Sequence, residues 1–318
     1  MLIACYNAFV FTSILIAALL TVAGSFDGYD LEVIPSGNLY SRGWDESNRR
    51  RVIWLLPKVL ADLEQRLGRK LNRSFTTVLT PDGFELERLV EEWSGSPLPA
   101  HTVLGVALPA HSMLFVRGGY SFAADAFETT LIHEVAHLVI HRKKRARIPK
   151  WCDEGVATWA SGFSLSAEQE SYLSLLARVG SLYPLESLER RFPRAHTPTT
   201  IAYQQSYLLV TYLSARYGPE SIPRLLDLFE EGAKTADALQ TVTGIPLDRM
   251  EEDFHGWVLA RRSLLGALAS IVNLWTISAL LALAAIARIW LRSRRRLAAM
   301  REAEPADPED RVEGEGEP

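Results

Sequence analysis

Leu131-Ile132-His133-Glu134-Val135-Ala136-His137-Leu138 is the stretch from which the rest of this 318-residue chain is read. It has the form H-E-x-x-H, with aliphatic residues at helical spacing around it. On an α-helix, positions i and i+4 lie on one face, one turn apart. His133 and His137 can therefore turn two imidazole nitrogens to one metal ion. Glu134 lies beside them, near enough to act on water there without being a ligand.

A catalytic zinc ion takes three protein ligands and keeps one position open, so a third ligand is needed. The metzincin arrangement requires Gly at 140 and His at 143; the chain has Ile140 and Lys143, which excludes it. His141 follows one turn after His137, beyond the part of the helix that reaches the same ion, and reads as a helix-end residue. The better candidate is Glu154, in Pro149-Lys150-Trp151-Cys152-Asp153-Glu154-Gly155-Val156-Ala157-Thr158. Its carboxylate would sit on a second helix, which the small Ala157 allows close to the first. Read alone, Glu154 is better explained as an ordinary acid at a helix start, where Asp and Glu are favoured.

The two ends of the chain differ from the middle. Residues 1–24 carry no charged side chain; Ala8 to Ala23 form an apolar core, and Val22-Ala23-Gly24-Ser25 offers small residues for cleavage. Residues 1–25 are expected to be a signal peptide, with an uncleaved N-terminal anchor as the alternative. Leu264 to Trp290 is interrupted only by Asn273 and Arg288 as strongly polar residues. A transmembrane helix is expected over 264–291, long enough to cross about 30 Å of hydrocarbon. Arg292, Arg294, Arg295, Arg296 and Arg301 follow it, against Arg261 and Arg262 before it. That bias puts the C-terminus in the cytoplasm and residues 30–260 outside. Residues 292–318 read as a basic, then acidic tail, disordered from Glu302 to Pro318.

Between these ends the composition is that of an ordinary globular domain, expected over 30–260. The net charge of −4 gives no basic field and argues against nucleic acid as a partner. With Cys5 in the first apolar block and Cys152 alone in the middle, no disulfide can form within the domain, and the cysteine count says nothing of the redox compartment. The periodicity predicts a helix over Trp44 to Leu71, with Pro57 marking a kink or break. Strands are predicted over Ser74 to Thr80, Thr102 to Ala107 and Ser112 to Arg117, and a short helix over Phe84 to Trp93. The metal helix runs from about Phe122 to Arg142. Helices follow at about 152–161, 166–179, 198–217, 219–231, 234–242 and 247–261. The fold class expected is α+β, with a mixed N-terminal sheet and a helical C-terminal half.

His133-Glu134-x-x-His137 followed by Trp151-x-x-Glu154-Gly155-x-Ala157 resembles the gluzincin pattern, H-E-x-x-H then W-x-x-E-G-x-A. M1-type aminopeptidases and the broader peptidase MA-like proteins share it, although His137 and Glu154 are a little closer than is usual in the M1 enzymes. Ala202-Tyr203-Gln204-Gln205-Ser206, the following Leu208 to Leu213 stretch and Tyr217-Gly218 resemble the family's later helix. Thr243-Gly244-x-x-Leu247, Phe254 and Trp257 resemble its ending, so the likeness covers about residues 100–260. It implies a gluzincin-like metallopeptidase domain with zinc held by His133, His137 and Glu154, and Glu134 as general base. In M1 enzymes a tyrosine in Y-x-x-G polarises the tetrahedral intermediate. Tyr203, in Y-x-x-S, falls at that position, with Tyr207 close enough to be an alternative. M1 enzymes also bind the substrate amine with a Glu of a G-x-M-E-N strand. The stretch Leu104-Gly105-Val106-Ala107-Leu108 has no acid, which argues against that aminopeptidase activity and for an endopeptidase.

Asp153 and Thr158 are candidates for orienting the imidazoles, or are simple helix-start residues. The strand Ser112 to Arg117 could present an edge to an extended substrate, and His196 could line the cleft. The expectation is a membrane-anchored, outward-facing zinc metallopeptidase of a bacterial envelope, tethered in the bilayer by its C-terminal helix. Its substrate would be a peptide or protein, with a neighbouring membrane or envelope protein as one class. A non-catalytic binding or assembly module on the same scaffold is the alternative. A structural membrane protein with a chance motif would leave the second and third matching stretches as coincidence.

Overall fold

Five short runs, of which Phe75–Thr80 is the richest in β-branched and aromatic residues, become the strands of a single sheet in the computed structural model. The structure describes residues 26–97, 103–118, 124–143, 146–193, 195–261 and 274–302. The expected signal segment, 1–25, lies outside the described residues, as does the tail from 303 onward. The strands are β1 (Asp30–Ile34), β2 (Gly37–Ser41), β3 (Phe75–Thr80), β4 (Gly105–Leu108) and β5 (Met113–Arg117), in the order β1-β2-β3-β5-β4. β1 pairs antiparallel with β2, and β4 with β5; β2 with β3 and β3 with β5 are parallel. A parallel neighbour needs a crossover. Helix α1 (Glu46–Arg66) supplies the first, and α2 (Gly83–Ser94) lies within the second.

Strand alternation divides the core. Leu39, Leu79, Leu114 and Val116 face a large core shared with α1 and the later helices. Tyr40, Val78, Met113 and Phe115 face a smaller one under Leu86, Leu89 and Val90 of α2. Asp82 caps α2 by accepting the Glu85 N–H at 2.9 Å. Pro57 sits inside α1 on its exposed side, where the carbonyl left without a helical donor can meet water.

The second half is helical: α3 (Ala124–Ile140), α4 (Lys150–Ala160), α5 (Ala167–Arg178), α6 (His196–Tyr217), α7 (Ser221–Glu230), α8 (Thr235–Thr243) and α9 (Leu247–Arg261). Helix α3 packs on α1, on α4 and on the edge strand β4, and α4 packs on α6. A Cβ on Gly155 would stand 2.5 Å from the Ser206 carbonyl oxygen, so only glycine lets α4 lie this close to α6. Trp151 is fully buried and meets Phe229 edge-on at 6.2 Å between centroids. Truncating such a side chain costs about 3–5 kcal/mol. The result matches the expected mixed sheet followed by a helical half. It adds the β1–β2 hairpin, which the sequence reading did not contain.

The described residues up to Arg261 form one compact unit, and α10 (Leu274–Glu302) belongs to a second. The first part of the span expected over 264–291, residues 262–273, lies outside the described residues. Among the described residues, no helix is long and apolar enough to cross a membrane. This overturns the expected transmembrane helix, and with it the single-pass localisation. The described part of the expected span is the start of α10, from Leu274, which meets Arg288 after fourteen residues, with Arg292, Arg294, Arg295 and Arg296 following in the same helix. A stretch of that length is shorter than the ~20 apolar residues that a bilayer requires.

Candidate metal centre

The helical spacing of His133 and His137 brings their Nε2 atoms to 3.2 Å from each other. Helix α4, held close by Gly155 on its far side, carries Glu154 to the same point. Its Oε2 lies 3.5 Å from each of the two Nε2 atoms. These three side chains form a group that could hold a metal ion. Glu154 is 5% exposed, so its carboxylate has little water to turn to and depends on these partners.

The surrounding groups fix the donors. Asp153 Oδ1 lies 2.6 Å from His137 Nδ1 and accepts its proton, which leaves Nε2 as the lone-pair side of the neutral ring. The same oxygen is 3.2 Å from His141 Nε2. Lys150, one turn before Glu154, donates to Glu154 Oε1. Burial opposes charge on His137, yet the Asp153 and Glu154 carboxylates outweigh it and hold the imidazole well above its ordinary value. Burial also pushes Asp153 and Glu154 up, but the charge of His137 and the imidazole hydrogen bonds bring both below the ordinary carboxylate range. The site is thus arranged to stabilise positive charge between the donors.

Glu134 stands apart from the donor group. Its carboxylate accepts the Ala107 N–H of β4 at 2.7 Å. Burial raises its proton affinity, although both imidazoles pull the other way. These groups line one wall of a cleft of about 820 Å³ that also includes Val106, Phe163 and Tyr203. Tyr203 packs edge-on against Phe192 at 5.0 Å. Burial and the charges of Glu154 and Glu134 push its hydroxyl well above the ordinary phenol range, against the pull of Lys150.

Of the sequence candidates, His133, Glu134, His137, Asp153, Glu154, Thr158 and Tyr203 all line this cleft. Tyr207, the alternative to Tyr203, packs instead against Phe163 at 5.5 Å. Thr158 receives the Ser161 hydroxyl on its carbonyl and makes no described bond to an imidazole. His196 is exposed at the start of α6 and is not part of the cleft wall. The strand Ser112 to Arg117 does not offer the edge: β5 is paired on both sides, and β4 is the edge strand beside the site. Two participants escaped the sequence reading. Lys150 had a signal, its i,i+4 spacing to Glu154. The tie between His141 and Asp153 had none, because it joins two helices.

A sequence profile of the Peptidase MA superfamily matches residues 98–260, more than half of the chain. The chain belongs to the Peptidase MA superfamily. The matched region of this Peptidase MA protein runs from just before β4 to the end of α9. It therefore holds the edge strand, the three donors, Glu134 and Tyr203. The match is to the superfamily and carries no assignment to the M1 enzymes. The chain is also similar to a Bacillus subtilis (strain 168) protein named "Uncharacterized protein YhcO". The identity is 26% over 149 residues, 43% of this chain and 42% of that relative, so less than half of the relative's length is spanned.

Proposed function

We propose that this Peptidase MA protein is a zinc metallopeptidase that cleaves internal bonds of peptides or proteins. The donor triangle carries the reading. Its edges of 3.2, 3.5 and 3.5 Å lie close to the roughly 3.3–3.4 Å edges of a tetrahedron of nitrogen and oxygen ligands about 2.0–2.1 Å from zinc. Two imidazoles and one carboxylate are also a donor set that suits zinc and leaves one position open. Zinc held there supplies Lewis acidity and lowers the pKa of water toward neutrality.

The protein's own groups have separate tasks. His133, His137 and Glu154 bind, and Asp153 keeps His137 in the tautomer that binds. Glu134, outside the donor group and raised in proton affinity by burial, takes a proton from water and passes it to the leaving amine. Tyr203 stays protonated and can donate to the carbonyl oxygen as negative charge grows there. The free edge of β4 lets an extended substrate pair by its backbone. Preference for internal bonds rests on the edge strand. Its stretch along the cleft, Leu104 to Ala107, carries no acidic side chain to hold the free amine of a chain end.

The test is zinc stoichiometry of the full chain, with cleavage of a peptide library by the parent and by Glu134→Gln. One zinc per chain is expected in both, with cleavage lowered by about 10²–10⁴-fold in the variant. A parent without zinc would sink the reading. Zinc without cleavage by the parent would point to a binding module, and cleavage that persists in the variant would remove Glu134 from its role.

A further inference from the structure

We propose that Lys150 is a positioning residue that restricts Glu154 to one-oxygen ligation and so makes the centre selective for zinc over larger, oxygen-seeking cations. The inference rests on the zinc reading above. The two oxygens of Glu154 have different partners: Oε2 lies 3.5 Å from both imidazole Nε2 atoms, and Oε1 accepts from the Lys150 ammonium. Lys150 is well placed to hold that division. It opens α4, and its backbone N–H is fixed to the Glu189 carbonyl at 2.7 Å.

The pair is not explained by helix stability. Lys ahead of Glu at i,i+4 is the weaker order for a surface pair, and the Glu154 side chain is only 6% exposed. What the ammonium does is occupy the oxygen that a bidentate carboxylate would need. Zinc is satisfied by four ligands, one oxygen among them. Manganese and calcium take six or more, mostly oxygen, often from both oxygens of one carboxylate. The other carboxylates on this wall cannot readily make up the number. Asp153 is held by His137 and His141, and Glu134 by the Ala107 N–H.

The experiment measures zinc and manganese affinities of the full chain by competition with a chromophoric chelator, for the parent, Lys150→Met and Lys150→Arg. The Lys150 side chain is 37% exposed, so methionine fits its place, and circular dichroism checks the fold. Removing the ammonium takes its charge and its hydrogen bond off Oε1, and the affinity for manganese relative to zinc is expected to rise about tenfold. Arginine, which keeps a cation on Oε1, is expected to keep the parent's ratio. A merely structural role would weaken both metals in parallel and leave the ratio alone. A parent that binds zinc, with an unchanged ratio in Lys150→Met, would overturn this inference only, and so would an arginine variant that behaves as the methionine one. A parent that takes up no zinc would overturn the zinc reading and this inference together.

Discussion

The Ala107 N–H donates to the carboxylate of Glu134 at 2.7 Å, tying the proposed general base to the edge strand of the sheet. Gly105 precedes it on the same side of β4. A Cβ there would stand 2.7 Å from Glu134 Cγ and 2.9 Å from Thr130 Cγ2. Gly105→Ala should therefore displace Glu134 while leaving the donors in place. Zinc content should hold, and kcat should fall by up to about 10²-fold, the scale expected for a misplaced catalytic group. Parallel metal and rate measurements check this; unchanged kcat would mean that the strand edge yields instead.

Asp153 Oδ1 holds His137 at Nδ1, 2.6 Å away, on the side of the ring opposite the donor group. In Asp153→Asn the amide can no longer take the Nδ1 proton with full charge, and it leaves His141 without its anion. Zinc affinity should weaken by about 10–100-fold. Chelator competition reads this directly, and retained affinity would show that the imidazole is oriented by packing alone.

Gly155 sets the approach of α4 to α6. The Cβ of Gly155→Ala would meet the Ser206 carbonyl oxygen at 2.5 Å and Val210 Cγ2 at 2.8 Å. Moving the helices apart should cost about 1–3 kcal/mol in urea unfolding. It should also weaken zinc binding, because Glu154 is the neighbouring residue. Lost stability with full zinc affinity would show that α4 recoils without carrying Glu154 along.

Glu230 gives a pH dependence away from the metal. Its side chain is 1% exposed and pairs with Arg69, Arg142 and Lys143. Arg69, also buried, donates at 3.1 Å to the carbonyl of Ile140, so this cluster fastens the C-terminal end of α3. Burial pushes the Glu230 carboxyl up, but the Arg142 hydrogen bond and the charge of Arg69 outweigh it and hold it below the usual carboxylate range. A depressed carboxylate contributes stability above its unfolded pKa of about 4.3 and loses it as pH falls through the folded value. Glu230→Gln should therefore be less stable by roughly 3 kcal/mol at pH 7. The gap to the parent should begin to narrow as pH falls below about 4.3 and close once it passes the folded value. Urea titrations at the two pH values test this, and a constant gap would exclude the pairing as its source.

The helices were legible because their apolar periodicity is long. The stretch from Ser221 to Glu230, for example, buries Ile222, Leu225, Leu226 and Phe229 at 3.6-residue spacing. The hairpin of Asp30–Ile34 and Gly37–Ser41 was not legible, since β1 leaves its apolar Leu31 and Val33 exposed and so shows no buried face to read. The transmembrane expectation failed on the described helix, whose apolar stretch from Leu274 meets Arg288 before it is long enough to cross a bilayer.

By itself the sequence determined what lies within one helix: His133 and His137 share a face because they are four residues apart, and Glu134 must lie beside them. It also marked Glu154, through the motif around it. The packing of separate elements decided the rest. Glu154 reaches the imidazoles because Gly155 lets α4 lie against α6. Glu134 is held by β4 because the strand order makes β4 the edge. Tyr203 faces the donors and Tyr207 does not because α6 is rotated so. Such contacts join residues far apart in the chain, and their distances follow from how side chains fill the space between elements, which no local pattern encodes.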